Sequence, residues 1–242
     1  MSDAETGFEA YLDYLGALRE SGADYFLEGG QAVNYWAEYV DSEGRGAALS
    51  LMRPFTSKDC DIWVSSQTWD KLKRDPKMKA GGSPADGQLG ILTLSEDPPR
   101  VVDVLSSVYG IDVKQYPKLL ERALDDGTLK VIDPVYLFLS KCHCVMNLPQ
   151  AGRQDGRHVR MLSLIIPEYI ALLVVDVESG LGLTPRDLIQ GIKLLKKFAA
   201  TAVCRRAMSK LEIDATSLIP WDRLIRSSSA VMARFGESQA PE

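Results

Sequence analysis

Apolar residues along this chain alternate between helical spacing and short continuous runs. Phe8, Tyr11, Leu12, Leu15 and Leu18 recur at intervals of three and four, which lines one face of a helix, and Gly22 offers a stop. Asp24 to Glu28 is a short apolar run that reads as a strand, closed by Gly29-Gly30 as a turn. Ala32, Val33, Trp36, Tyr39 and Val40 restore the helical interval, and Asp41 to Met52, rich in Gly, Ala and Ser, predicts a loop free to move. Phe55 to Val64 opens polar and closes apolar, as a buried strand ending near Ser65 would. Thr68 to Arg74 predicts a short helix capped by Ser66 or Thr68, and Lys77 to Gly87 a polar, glycine-rich surface loop. Leu89 to Leu94 and Val101 to Leu105 predict two strands, with Pro98 and Pro99 marking the turn between them. Tyr116 to Leu124 is helical in pattern, and Leu129 to Ile132 is a last short strand. Together these predict an α+β fold, a mixed sheet with helices on one face.

The pattern changes at Pro134, which suits the first turn of a helix after the cap Asp133. Val135, Leu137, Phe138, Lys141, Val145 and Met146 line that helix, which should end near Pro149. Val159 to Glu178, Pro185 to Ala200, Thr201 to Leu211 and Trp221 to Phe235 are helical in turn. The expected division is an α/β head over residues 1–132 and a helical region over 133–242.

Composition adds little to this until charge is mapped onto it. At 242 residues, 45% hydrophobic and 25% charged, the chain is ordinary for a globular protein. No apolar run approaches the roughly 18 residues that span a bilayer, and the acidic opening resembles neither a signal nor a transit peptide, so a cytoplasmic location is expected. Four cysteines do not make a disulfide framework, and Cys142-His143-Cys144 with His158 lacks zinc-ligand spacing; buried thiols are the expectation. The net charge of −5 hides an asymmetry: ten acids against two Arg in the first 50 residues, eight Lys or Arg against three acids from Lys193 to Arg226. The basic stretch is either a solvated helix face or a surface that receives RNA, while the overall acidity speaks against indiscriminate DNA binding.

The candidate chemistry lies in the head. Asp59 and Asp61 are two apart on a predicted strand, so both carboxylates leave one side while Cys60, Ile62 and Val64 face the other. Like charges side by side repel and are costly to bury; a hard divalent cation such as Mg²⁺ removes both difficulties. Asp103, flanked by Val102 and Val104 in another strand, is a third carboxylate with no structural explanation unless it faces water from a sheet edge. Gly29-Gly30 at the head of a helix would let backbone N–H groups approach phosphates closely, with Gln31 and Asn34 adding hydrogen bonds.

A Gly-Gly turn after a strand, Asp-x-Asp on the next and a lone Asp on a third resemble the DNA-polymerase-β-type nucleotidyltransferase superfamily. The wording Gly-Gly-Gln-Ala-Val-Asn with Thr-Ser-Lys-Asp-Cys-Asp is similar in particular to bacterial AbiEii-type nucleotidyltransferase toxins, over residues 24–160. The resemblance implies one or two Mg²⁺ held by Asp59, Asp61 and Asp103, and a nucleoside triphosphate, such as ATP, seated by Gly29, Gly30, Gln31, Asn34, Ser57 and Lys58. It also implies a basic residue on the first helix of the helical region, here Lys141, pointing at phosphates. In the turn after that helix Arg153, Asp155 and His158 are polar candidates, Arg153 as a bidentate phosphate ligand and Asp155 equally as a helix cap. Cys60 stands where the family usually has an aliphatic residue, and the segment between Gly30 and Asp59 is longer than in minimal members. The implied activity is transfer of a nucleoside monophosphate to a hydroxyl of RNA, a protein or a small molecule, in a toxin with an antitoxin partner or a phage-defence role. Two other readings stand beside it: an inactive fold relative that binds a nucleotide or partner, and a modifier of aminoglycoside-like small molecules.

Overall fold

The computed structural model describes residues 5–44, 46–81 and 87–241. Among them a 3₁₀ turn at Phe8–Tyr11 leads into α1 (Leu12–Glu20), β1 (Tyr25–Glu28) and α2 (Gly29–Ser42). A short α3 (Ala47–Ser50), β2 (Cys60–Val64) and α4 (Ser66–Leu72) follow, then β3 (Met78–Ala80), β4 (Gln88–Glu96) and β5 (Pro99–Leu105). After α5 (Tyr116–Arg122), β6 (Leu124–Asp125) and β7 (Lys130–Val131) the chain is helical: α6 (Pro134–Asn147), α7 (Asp155–Ser179), α8 (Pro185–Ala199), α9 (Ala202–Lys210), α10 (Trp221–Ile225) and α11 (Ala230–Gln239). The expected α+β architecture is what forms. No helix among the described residues is long and apolar enough to cross a membrane.

The seven strands make one mixed sheet in the order β3-β4-β5-β2-β1-β7-β6. Central β2 runs antiparallel to β1 and parallel to β5. Its alternation sorts side chains between two faces. Cys60, Ile62 and Val64 share one face with Tyr25 and Leu27 of β1 and Val102 and Val104 of β5, their partners in register. These seven are all buried, and the Tyr25 hydroxyl donates to the Leu15 carbonyl at 2.7 Å, which fixes α1 over this side. The other face carries Asp61 and Trp63 beside Phe26, Glu28, Asp103 and Leu105. Phe26 stacks on Trp63 at 4.9 Å, and Tyr116 of α5 meets Trp63 edge-on at 5.6 Å.

The helical region is locked to the sheet. Asp133 caps α6 by accepting from the Val135 N–H at 2.8 Å, and it also accepts from Arg122 at 2.5 Å. Trp36 of α2 donates its indole N–H to the Ile132 carbonyl at 2.8 Å and sits edge-on to Tyr169 of α7 at 5.1 Å. Sheet and helices share one continuous buried cluster. Thr184 with Asp187 forms a capping box on α8, and Thr201 caps α9.

Several element boundaries differ from the sequence reading. The expected loop at Asp41 to Met52 contains the last residues of α2 and the short α3, in which Leu49 is buried. Asp41 accepts from Ser50 at 2.7 Å and Arg53 at 2.5 Å, and Arg53 also pairs with Glu38, so this segment is tied down rather than free. The α4 cap is Ser65, whose side chain accepts from the Thr68 N–H; the Thr68 hydroxyl instead accepts from Asp24. Within the expected loop at Lys77 to Gly87 lies edge strand β3; residues 82–86 of that stretch are outside the described ones. An edge strand needs backbone pairing more than apolar alternation, so its sequence carried no trace of it. The last predicted helix is two, α10 and α11, parted at Ser227 to Ser229. The Ser227 hydroxyl and Ser228 N–H both donate to Glu178 of α7, which pulls that backbone out of helical bonding.

Candidate metal centre

Register across the middle of the sheet sets three carboxylates in a row: Glu28 on β1 opposite Asp61 on β2, and Asp61 beside Asp103 on β5. Asp59 lies one residue before β2 on the same side. Asp59, Asp61 and Asp103 each present a carboxylate oxygen, and these oxygens lie within 4.8 Å of one another. Asp103 is therefore on the same face as the Asp59/Asp61 pair, not turned to a solvent edge.

The electrostatics are those of an anion cluster short of positive charge. Burial, then the Asp59, Glu28 and Asp103 charges, hold Asp61 well above the usual carboxylate range, with Lys141 opposing. Burial and Asp59 push Asp103 up to about 6, against a hydrogen bond from Gln88. Burial lifts Glu28 to about 7, against Lys141 and the Gly29 N–H. Three hard oxygen donors that repel one another and are partly dehydrated fit Mg²⁺ or a similar ion, which would hold all three ionised. The donor set lacks the sulfur and imidazole of a zinc site.

Gly29 stands against this cluster. Its φ of +69° follows the extended Glu28, and a Cβ at Gly29 would overlap the Asp61 carboxylate oxygen Oδ2. At Gly30 a Cβ would overlap the Ser57 hydroxyl and come within 3.0 Å of His158 Cε1. Both glycines are thus required by close approach, one to the carboxylates and one to the Ser57 and His158 side chains.

Lys141 is buried on α6, with Nζ 3.1 Å from Asp155. Burial works against its charge, but Cys144, Asp155, Asp61 and Glu28 outweigh it and hold its pKa above normal. Arg153 also binds Asp155, at 2.6 Å, so Asp155 bridges two cations as well as opening α7. Gln31 spends its amide elsewhere: Nε2 donates to the Thr6 carbonyl at 2.9 Å and Ser57 carbonyl at 3.4 Å, and Asn34 donates to Gln31. Their hydrogen bonds serve the bridge between Thr6 and Ser57 rather than a ligand. Ser57 is buried beside Gly30, and Lys58 is exposed.

Sequence reasoning passed over Glu28 as a strand end, although two-residue alternation from Phe26 would have put it on the Asp61 face. It also could not see that Asp155 bridges Lys141 and Arg153, or that His158, 3% exposed, has no hydrogen-bond partner at either ring nitrogen.

No protein-family model matches the chain, and no curated protein matches it. Among solved structures, an antigenic nucleotidyltransferase-like protein from Paracoccidioides brasiliensis is similar over 89% of this chain and 96% of that one, at 15% identity and a TM-score of 0.46.

Proposed function

We propose that the chain is a metal-dependent nucleotidyltransferase, moving a nucleoside monophosphate from a triphosphate to a hydroxyl acceptor. The single observation that carries this reading is the convergence of Asp59, Asp61 and Asp103 oxygens within 4.8 Å, beside the bare backbone of Gly29. Asp59, Asp61 and Asp103 would hold Mg²⁺, one ion or two. When bound, the metal supplies neutralisation of charge on the transferring phosphoryl group. Asp103, whose pKa is lifted to about 6 by burial and Asp59, is suited to accept the proton of the attacking hydroxyl near neutral pH. Lys141, kept charged within the fold, adds positive charge on the Glu28 side of the site. In this reading residues 1–132 carry the carboxylates and residues 133–242 bring Lys141 to them.

For the acceptor we favour RNA, and for the biological role a toxin held in check by an antitoxin. The support is the basic stretch, whose members stand differently in the fold. Lys196 lies over Trp221 at 5.5 Å and bonds Gln239, and Arg223 pairs with Glu178, so these are occupied. Arg205, Arg206 and Lys210 are exposed along α9 and line a shallow depression with Ser209.

The test is incubation with each α-labelled triphosphate, Mg²⁺ and cell extract, followed by separation of RNA, protein and small molecules. Label transferred by the wild type and lost in Asp61→Asn supports the reading. Transfer that persists in Asp61→Asn would end it, and Mg²⁺-dependent nucleotide binding without any transfer would leave a nucleotide-binding module. Growth arrest on expression, relieved by Asp59→Ala, is the expected behaviour of a toxin.

A further inference from the structure

His158 is the fourth residue of α7, 3% exposed, with Nδ1 and Nε2 both lacking a partner. A buried polar group in that state is expensive, and native proteins keep few without a reason. The ring faces the second residue of α2, since a Cβ on Gly30 would stand 3.0 Å from Cε1, with the Ser57 hydroxyl on the same spot. Two helix N-termini thus meet at one place. Neither is closed by a side-chain cap, at Glu28 for α2 or at Gln154 for α7. Uncapped first turns present N–H groups and the positive end of the helix dipole. Lys141 and Arg153 lie close by, sharing Asp155, while Arg157 donates to the Met52 and Pro54 carbonyls.

We propose that this hollow between the α2 and α7 N-termini seats the terminal phosphates of the triphosphate, with His158 donating a ring N–H to them. This rests on the nucleotidyltransferase reading and adds to it a binding residue for the departing pyrophosphate. Burial, then the Lys141 charge, hold His158 well below its ordinary pKa, so it acts as neutral imidazole: one donor and one acceptor. A neutral donor set among backbone N–H groups suits a phosphate oxygen without adding a charge that must itself be dehydrated. Gly30 is then required because any side chain would close the hollow. The competing account makes His158 only a spacer that sets the distance between α7 and α2.

His158→Leu separates the two accounts, because Leu keeps the bulk and removes both nitrogens. The readouts are thermal melting without ligand and calorimetric titration with Mg²⁺ alone, magnesium pyrophosphate and AMP. We expect the metal-free variant to melt at or above the wild type, since an unsatisfied buried polar group is gone. Magnesium pyrophosphate should bind about tenfold or more weakly, as for one hydrogen bond to a charged group, while Mg²⁺ and AMP bind as before. His158→Gln, which keeps an N–H donor, should recover part of the loss. Should the Leu variant fail to fold, His158→Met set against His158→Gln gives the same comparison. Pyrophosphate affinity unchanged in the apolar variant overturns the phosphate seat, and if Asp61→Asn still abolishes Mg²⁺ binding, the metal centre stands without it. A wild-type chain that binds neither Mg²⁺ nor pyrophosphate overturns both.

Discussion

Replacing Asp103 with Asn should make the metal-free protein more stable while destroying its metal site. Burial and the neighbouring Asp59 raise the Asp103 pKa from 3.8 to about 6. That rise opposes the ionised form by roughly 3 kcal/mol, and partial exposure of the carboxylate reduces it to about 1–2 kcal/mol. The sign follows from proton counting. The native state holds the proton more tightly than the unfolded chain, so stability falls as pH rises from about 4 to about 6, and the full penalty remains above that. Asn carries no charge and avoids it. In chelator at pH 8 the variant should therefore exceed the wild type by about 1–2 kcal/mol, or roughly 2–8 °C in melting temperature for a chain of this length. Near pH 4 the two should converge. Saturating Mg²⁺ should reverse the order, because only the wild type gains the binding energy, about 2.7 kcal/mol at a hundredfold excess over Kd. The assay is calorimetric or denaturant unfolding of both proteins at pH 4, 6 and 8, with Mg²⁺ and with chelator. A variant no more stable than wild type in chelator at pH 8, or equal stabilisation of both by Mg²⁺, would refute the reasoning.

Gly29→Ala combines left-handed backbone strain of about 1–2 kcal/mol with a Cβ that displaces the Asp61 carboxylate. Melting temperature and Mg²⁺ affinity should fall together; Mg²⁺ affinity unchanged in calorimetry would contradict the placement. Asp155→Ala removes the buried partner of Lys141 and should cost roughly 3–5 kcal/mol in urea unfolding, much of it recovered in Lys141→Met/Asp155→Leu, which removes the buried charges together. Failure of the double variant to recover would mean that the pair is not the reason. Gln31→Leu loses the bonds to the Thr6 and Ser57 carbonyls, at about 1–2 kcal/mol, and should speed hydrogen exchange at the Thr6 and Ser57 amides. Unchanged exchange there would show that Gln31 does not hold the bridge.

Where local spacing carries the information, the sequence was a good guide. Asp133-Pro134 marked the start of α6, and the apolar runs of β1, β2 and β5 were plain because central strands must be covered on at least one side. Asp59 and Asp61 could be placed on one side by alternation alone. Edge strand β3, the Ser65 cap and the break between α10 and α11 escaped notice. Each depends on a partner distant in the chain: β4 for β3, Asp24 holding the Thr68 hydroxyl, and Glu178 for the serines.

The chain by itself determined that a short buried strand would carry two carboxylates outward, with glycines free to approach and a lone aspartate in another strand. Those facts follow from side-chain alternation and from the cost of an unexplained buried charge. Whether Asp103 joined the pair, whether Glu28 extended the row and whether Lys141 reached it from the helical region were decided only by the sheet register and by the docking of α6. Register is a property of strand pairs, and a one-residue slip would have turned Asp103 to the opposite face. The same holds for Gln31, read as a ligand and found to be a brace, because its nearest carbonyls come from a segment 25 residues away.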